Sequence, residues 1–366
     1  MKIIIIQPFL SWGGAEAVSV QFANALTKTG HKSKIVCLYK TPSLPHAADK
    51  VEITTPPKFI YELLAKSYLL MTILGLPILL VLTLVNSVGV DLINPHNFPS
   101  LWVAVVVGKL RRIPVIWTVH NFPQSPLPPL FDKFFARQCK TVIAVSQKVA
   151  GQVYRNYKIK AKVIYPGIDH AFWSKLPIVV HRPPAGRQAR LIAGKFVVLT
   201  AGRLKSDKSF DIAISSFAQA SLKIKNAVLN VVGSGPDLVR LRTISSMQSA
   251  NVKFIGYQTP EQLRNWYTTA DLFLLPSYKT EGCNLTPLEA LCSGVPSVVA
   301  KGSGVDEIFE KYKLGLVAEP TIEDFSGKII DYHDNYKENS DRRNLKNWVQ
   351  KNLSWDNYVN KFIELI

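Results

Sequence analysis

Short apolar runs alternate with amphipathic stretches from one end of this chain to the other, and that alternation limits its fold more than any other feature. Residues 3–6 are strand-like; Gly13-Gly14 then opens an amphipathic stretch over about 15–28, which Gly30 stops. Further strands are expected at 34–39, 91–94, 115–119, 141–145 and 162–165, and a second series at 196–200, 228–232, 252–255, 271–275 and 296–300. Strands separated by helical patterns imply right-handed βαβ crossovers and parallel sheets. Between the two series, residues 174–194 are rich in Pro, Arg and Gly without a period, and read as a linker.

The expected architecture is therefore α/β, with two Rossmann-like doubly wound domains over 1–173 and 195–343. A tail over 344–366 carries Trp348, Val349, Leu353, Trp355, Tyr358, Phe362 and Leu365 at helical spacing. A chain of 366 residues is long enough to give each domain a core. Such domains place the loops at the carboxyl ends of their strands around a shared cleft, the expected seat of a ligand.

Net charge is +18, but it is unevenly spread. Residues 1–190 hold 23 Lys/Arg against 7 Asp/Glu, whereas 191–366 hold 21 against 19. Charge of this kind speaks to partners, not fold. It gives the first half an anionic partner: acidic lipid headgroups, a lipid-linked pyrophosphate or nucleic acid. Nucleic-acid modules interleave clustered Lys/Arg with aromatics. Here the charges are scattered, and Arg111-Arg112 is the sole adjacent basic pair in that half, which disfavours this class. Cys37, Cys139, Cys283 and Cys292 show no CxxC spacing, so buried thiols in a reducing compartment are expected, not a metal site.

Residues 67–90 carry no charge and are largely aliphatic. Length alone fits a membrane span. A span here would place two strands of one sheet on opposite sides of a bilayer, so a buried helix or a surface-dipping hairpin is expected, with Lys58 and Lys66 before it suiting an anionic interface. The start, MKIIIIQPF, is strand-like and lacks a signal peptide's h-region.

Most chemistry concentrates in 276–299, PSYKTEGCNLTPLEALCSGVPSVV. Thr286-Pro287-Leu288-Glu289 has the form of a capping box, with Thr as N-cap and Glu at N3. Free amides at such a helix start favour a phosphate, and two carboxylates beside it, Glu281 and Glu289, suit sugar hydroxyls. Glu289 as a simple cap is the competing reading.

This run resembles the donor-site signature of the retaining glycosyltransferases of the GT-B fold, family 4, where two glutamates eight positions apart precede a Gly-x-Pro turn into a strand. Gly202-Arg203-Leu204 with Lys208 is similar to the family's pyrophosphate-holding segment, with Ser209 in place of the usual glycine. The resemblance implies that Arg203 and Lys208 neutralise the leaving diphosphate, which is electrostatic catalysis of its departure. It places Glu281 at the donor sugar's hydroxyls and Glu289 at the ribose, with amides of Gly282, Cys283, Asn284 and Leu285 along the sugar and phosphates. Cys283 stands where an aromatic is frequent. Tyr257 corresponds to a segment near the base, or is a surface aromatic. Gly233-Ser234-Gly235-Pro236 is similar to the family's Gly-x-Gly-Pro turn, which a tight turn also explains.

In the first half, Gly13 and Gly14 match the family's glycine-rich turn near the donor phosphates, or form a plain tight turn. Thr118-Val119-His120-Asn121 resembles Thr-x-His-Asp, whose His lies beside the transferred sugar; Asn121 removes a carboxylate there. His96 is placed on the acceptor side. Val145-Ser146 and Tyr165-Pro166-Gly167-Ile168-Asp169 fit the family's architectural pattern. No Asp-x-Asp, zinc-ligand spacing or Gly-x-Ser-x-Gly occurs.

The resemblance implies metal-independent, retaining transfer of a hexose or N-acetylhexosamine from a UDP- or GDP-linked donor to an acceptor hydroxyl, with no bound cofactor. A lipid-linked glycan in polysaccharide assembly, at an anionic inner face of the plasma membrane on the cytoplasmic side, is the expected acceptor setting. A sugar-nucleotide epimerase or hydrolase of the same fold is the alternative.

Overall fold

The computed structural model describes residues 1–10, 13–41, 51–64, 68–96, 98–121, 129–175, 195–279, 281–336 and 342–366. The chain divides into two compact units, Met1–Gly167 with Trp355–Ile366, and Ile168–Ser354.

The first unit contains β1 (Lys2–Ile6), β2 (Phe9–Leu10), β3 (Lys32–Val36), β4 (Tyr39–Lys40), β5 (Glu52–Thr54), β6 (Leu92–Pro95), β7 (Ile116–Val119), β8 (Thr141–Ala144) and β9 (Lys162–Val163). β5-β3-β1-β6 form one parallel sheet and β7-β8-β9 another. A parallel bridge between Ile93 and Val115 joins the two edges, and β2 pairs with β4 alone. Strand order thus reverses between β1 and β6. The isoleucines of β1 are buried throughout, as a central parallel strand covered on both faces requires.

The helix Gly14–Lys28 follows β1 and buries Phe22 in the core. Onto it folds the final helix, Trp355–Ile363. Phe362 and Tyr358 meet the Phe22 ring edge-on at 4.8 and 5.0 Å between centroids, and Trp355 Nε1 donates to Gln21 Oε1 at 2.8 Å. A Cβ on Gly167 would lie 2.5 Å from the Trp355 ring, so this contact is what demands glycine there. Ser146, at the start of the helix Gln147–Tyr157, accepts from the Val149 amide at 3.2 Å, an ordinary N-cap.

The second unit holds β10 (Phe196–Ala201), β11 (Ala227–Val232), β12 (Val252–Gly256), β13 (Leu272–Leu275), β14 (Ser297–Ala300) and β15 (Gly315–Ala318). All are parallel, in the order β12-β11-β10-β13-β14-β15. Counted from its own first strand this is 3-2-1-4-5-6, the dinucleotide-fold order, with its switch point between β10 and β13. Phe217, Phe325 and Leu274 are among its core. Thr259 opens the helix Pro260–Thr269 with a complete capping box to Gln262.

Several expectations shift. The stretch 67–90 is neither a hairpin nor a buried helix. It forms one helix, Tyr68–Asn86, with Pro77 inside it. Leu79, Thr83 and Ser87 along this stretch are buried while Leu74, Val81, Val85 and Val88 are exposed. No helix among the described residues is long and apolar enough to cross a membrane. The second unit starts at Ile168, not after 173, because the Ile168 amide donates to Leu353 O at 2.7 Å and Arg264 donates to Phe172 O at 3.1 Å. The tail over 344–366 divides: the helix Arg342–Asn352 stays with the second unit, where Arg342 lies 3.6 Å from Asp271. Of the 174–194 linker, 176–194 lie outside the described residues.

Candidate functional site

In the second unit the loops that leave β10 and β13 flank the switch point, and their side chains meet there. Lys208 Nζ donates to Glu281 Oε1, joining two residues 73 positions apart. Ser277, just beyond β13, donates its hydroxyl to the same oxygen at 2.6 Å. Lys208 closes a short 3-10 turn, Ser206–Lys208, and Ser209 after it holds φ +53°. That left-handed backbone explains why glycine suits this position better than serine. Arg203 stands exposed on the same loop.

The loop is pinned from beneath by backbone, not side chains. Leu204 N donates to Ser234 O at 3.0 Å, and Asp237 N donates to Leu204 O at 3.0 Å. A Cβ on Gly233 would sit 1.9 Å from Gly202 O, and one on Gly235 2.2 Å from Leu204 O. The Gly-x-Gly turn is therefore the seat of the Arg203–Lys208 loop. A second close approach lies on the other side: Gly304, at φ +83°, would place a Cβ 2.0 Å from Gly282 O. Asp306 holds that glycine loop by accepting from the amides of Gly302 at 2.7 Å and Gly304 at 2.8 Å. Ser277, Gly304 and Asp306 were not singled out from sequence. The Gly-Ser-Gly run directly after β14 was the available signal.

Glu289 is not a helix cap. The helix runs Thr286–Cys292 with Leu285 as N-cap and no side-chain cap of its own. Asn284 does the satisfying work instead, its Oδ1 accepting from Thr286 N at 3.1 Å and Thr286 Oγ1 at 2.8 Å. Thr286 is thus already helical, and Glu289 lies one position too deep to reach back to the N-cap amide. Its carboxylate instead faces the buried Tyr267 hydroxyl, 3.3 Å from Oε2. That hydroxyl also lies 3.1 Å from Thr286 O. Desolvation pushes Glu289 up to about 7, opposed by the Tyr267 hydrogen bond. A carboxylate kept short of partners beside a helix start is suited to take ligand hydroxyls.

Cys283 is partly buried, and its thiol is raised by burial and by the carboxylates of Glu307, Glu281 and Asp306. It is not a thiolate nucleophile. All four cysteines are free, and no cluster among the described residues has the makings of a metal site. Tyr257 follows β12 and is exposed.

In the first unit the matching feature lies at its own switch point. Gly13 is the N-cap of the helix Gly14–Lys28 and has no side-chain cap bond; Glu16 lies in its first turn. From that helix Ser19 Oγ reaches His96 Nδ1 at 2.7 Å, just beyond β6. His120, beyond β7, places Nε2 2.9 Å from the same Nδ1.

The protons of this chain follow from its far end. Asn94 Nδ2 donates to the Ile116 carbonyl at 2.6 Å and to Thr118 Oγ1 at 3.0 Å, so Asn94 Oδ1 can only accept. It accepts from His96 Nε2 at 2.7 Å. Burial and the neighbouring His120 hold His96 well below its ordinary value, so it is neutral and its Nδ1 is bare. His120 Nε2 must then carry the proton. Burial lowers His120 to about 4, so its Nδ1 is left as an acceptor. His96 is therefore a buried link, which is a correction to its expected place lining the acceptor side.

Two parallel Rossmann-ordered units in one chain define the GT-B class of α/β proteins. A sequence model described as Glycosyltransferase Family 4 matches residues 12–172, and one described as Glycosyl transferases group 1 matches 185–351. The chain belongs to this glycosyltransferase family. Mannosylfructose-phosphate synthase of Agrobacterium fabrum is 29% identical over 64% of this chain and 59% of its own length. Spore coat protein SA of Bacillus subtilis is 24% identical over 62% and 64%. The matches thus span about three fifths of those relatives. Among solved structures, Anabaena HepE in complex with UDP and glucose superposes with a TM-score of 0.77 at 21% identity, covering 100% of this chain and 98% of its own. Sucrose-phosphate synthase from Thermosynechococcus elongatus gives 0.77 at 19%, with coverage of 100% and 98%.

Proposed function

We propose that the protein is a retaining glycosyltransferase that moves a hexose or N-acetylhexosamine from a UDP- or GDP-linked donor to an acceptor hydroxyl. The observation that carries this reading is the Lys208–Glu281 pair at the β10/β13 switch point. A cation suited to a diphosphate and a carboxylate suited to sugar hydroxyls thus share one place, on loops whose glycines allow backbone to pack against backbone. HepE, with the same fold, was solved with UDP and glucose.

In this reading Arg203 and Lys208 take the charge that develops on the leaving diphosphate. Lys208 exchanges Glu281 for phosphate oxygens, and the freed Glu281 turns to the sugar. Within the second unit Glu289 accepts from the ribose hydroxyls and amides of Gly282 to Leu285 line the phosphates and sugar, while the Gly13-Gly14 turn of the first unit opens a helix start that suits an anionic group. Tyr257 lies at the base. The acceptor hydroxyl attacks from the face the diphosphate leaves, and a diphosphate oxygen takes its proton. In the first unit His120 keeps Nδ1 as an acceptor for a substrate hydroxyl. No protein nucleophile and no metal is needed. The acceptor is a lipid-linked glycan, met at an anionic membrane surface by the basic first unit.

The test is nucleoside diphosphate release from a panel of UDP- and GDP-sugars, with lipid-linked acceptors and with chelator. Release that depends on acceptor and survives chelation, with a product that keeps the donor's anomeric configuration, is expected. Isomerised sugar nucleotide without release would identify an epimerase, and acceptor-independent release a hydrolase.

A further inference from the structure

In the first unit, strands β5, β6, β7, β8 and β9 succeed one another in a single direction. Right-handed crossovers therefore put the helices Tyr68–Asn86, Phe98–Arg111, Pro129–Ala136 and Gln147–Tyr157 on one face of the sheet, each packed on the next. The helix Gly14–Lys28 runs in the opposite sense and lies on the other face. The outer side of this four-helix layer carries large apolar side chains in the open: Leu110 is 66% exposed, Leu130 76% and Phe134 55%. Scattered exposed apolars need no explanation, but these cluster. Lys109 Nζ stands 5.6 Å over the Phe134 ring, bringing the end of one helix to the middle of the next. Leu130, Lys133, Phe134, Arg137 and Gln138 line a shared depression of about 330 Å³.

Charge on this face has one sign. Between residues 68 and 140 there are six Lys/Arg and two acids. Asp132 is fully buried, taking the Trp102 indole N–H at 2.9 Å. Asp91 takes the Lys2 amide at 2.7 Å, at the edge of β1. Lys109, Arg111, Lys133 and Arg137 are thus interleaved with leucine and phenylalanine, with no surface carboxylate from these helices among them.

We propose that this face, centred on Leu130, Phe134, Lys133 and Arg137, seats a bilayer carrying anionic phospholipids. Cations meet the headgroup phosphates while the apolar side chains enter the headgroup–acyl boundary, the division of labour of interfacial helices. A second copy of this chain fits less well, because a two-fold contact would bring the same cations face to face. The inference rests on the membrane-surface reading above and names the surface that performs it.

Flotation of the full chain with phosphatidylcholine vesicles, with and without phosphatidylglycerol, tests it. The wild type should float with anionic vesicles only. The double variants Leu130→Ser/Phe134→Ser and Lys133→Glu/Arg137→Glu should each weaken partitioning by at least about tenfold. Val239→Ser/Met247→Ser, exposed in the second unit, should change nothing. All variants should keep the wild-type melting point and its response to nucleotide. A wild type that ignores anionic vesicles, or patch variants that float unchanged, overturns the proposal. So does a wild-type dimer in light scattering that dissociates on Phe134→Ser, which would assign the face to self-association. Vesicle binding without any nucleotide response would instead sink the donor-site reading alone.

Discussion

His120 Nε2 lies 2.9 Å from His96 Nδ1, and both rings are buried. Two bare nitrogens would repel at that distance, so one must carry the proton. Asn94, locked by the Ile116 carbonyl, decides that it is His120. The chain thus turns a main-chain carbonyl at β7 into a fixed tautomer at the end of the same strand.

Long-range proton–nitrogen correlation spectra should accordingly show both histidines neutral at pH 7 and protonated at Nε2. A His120 protonated at Nδ1 would contradict the chain. Asn94→Leu should release the constraint and mix the tautomers. Because both rings prefer the neutral form, their contribution to stability is intact above the ordinary 6.5 and declines in acid, that of His120 being lost as pH falls through about 4. Acid denaturation followed in His120→Gln should show a shallower loss over that window.

Lys208 is paired with Glu281, so in the proposed donor site Glu281 would compete with a phosphate for it. Removing that competitor with Glu281→Gln should leave nucleoside diphosphate binding equal or tighter while turnover of the sugar nucleotide falls steeply. Lys208→Ala should weaken diphosphate binding by ~10- to 100-fold, the worth of a charge-assisted hydrogen bond. Calorimetry with the diphosphate alone reads both. Weaker diphosphate binding in Glu281→Gln would remove the competition from the account.

Glu289, raised to about 7, predicts two opposite pH trends. The fold is favoured with the carboxyl protonated, so this group's contribution is full below the ordinary 4.5 and is lost as pH rises through about 7. Glu289→Gln should therefore gain on the wild type in unfolding free energy across that window, by up to ~3 kcal/mol. Nucleotide affinity should do the reverse, rising through pH 7 as the carboxylate forms, and going flat in Glu289→Gln. Tyr267, raised well above its ordinary value by burial and Glu289, stays neutral throughout.

Backbone sets the remaining expectations. Ser209 at φ +53° should be improved by glycine, with Ser209→Gly stabilising by ~0.5–1 kcal/mol in chemical denaturation. Gly304→Ala should cost ~2 kcal/mol or more, since its Cβ would strike Gly282 O, and nucleotide binding should fall with it. Gly327→Ala, mid-helix with open space around it, should instead stabilise by ~0.5–1 kcal/mol.

Sequence carried the α/β alternation well, because buried parallel strands such as β1, β10 and β14 are mostly apolar runs. It carried β2, β4, β5 and β15 poorly. Three of these are two or three residues long, and β15 begins at a glycine that needs backbone contact with Ser297 O. The helix Tyr68–Asn86 is apolar all round, so its pattern held no information on which side is buried; packing against Phe98–Arg111 decides that. At the candidate site, motif spacing singled out Lys208 and Glu281, which lie on the loops after β10 and β13. Their meeting, and the shift of Glu289 from cap to partner of Tyr267, depend on tertiary register that no local pattern encodes. His96 went astray for the same reason: a strand-end histidine looks alike whether it lines a ligand or, as here, links Asn94 to His120.

The central claim is a nucleoside diphosphate site at the β10/β13 switch point. Isothermal titration of the full chain with UDP and GDP, repeated in Lys208→Ala and Glu289→Ala, tests it most directly. One nucleotide should bind the wild type, with affinity reduced at least ~10-fold in each variant. Binding of neither, or binding that both variants retain unchanged, would contradict the account.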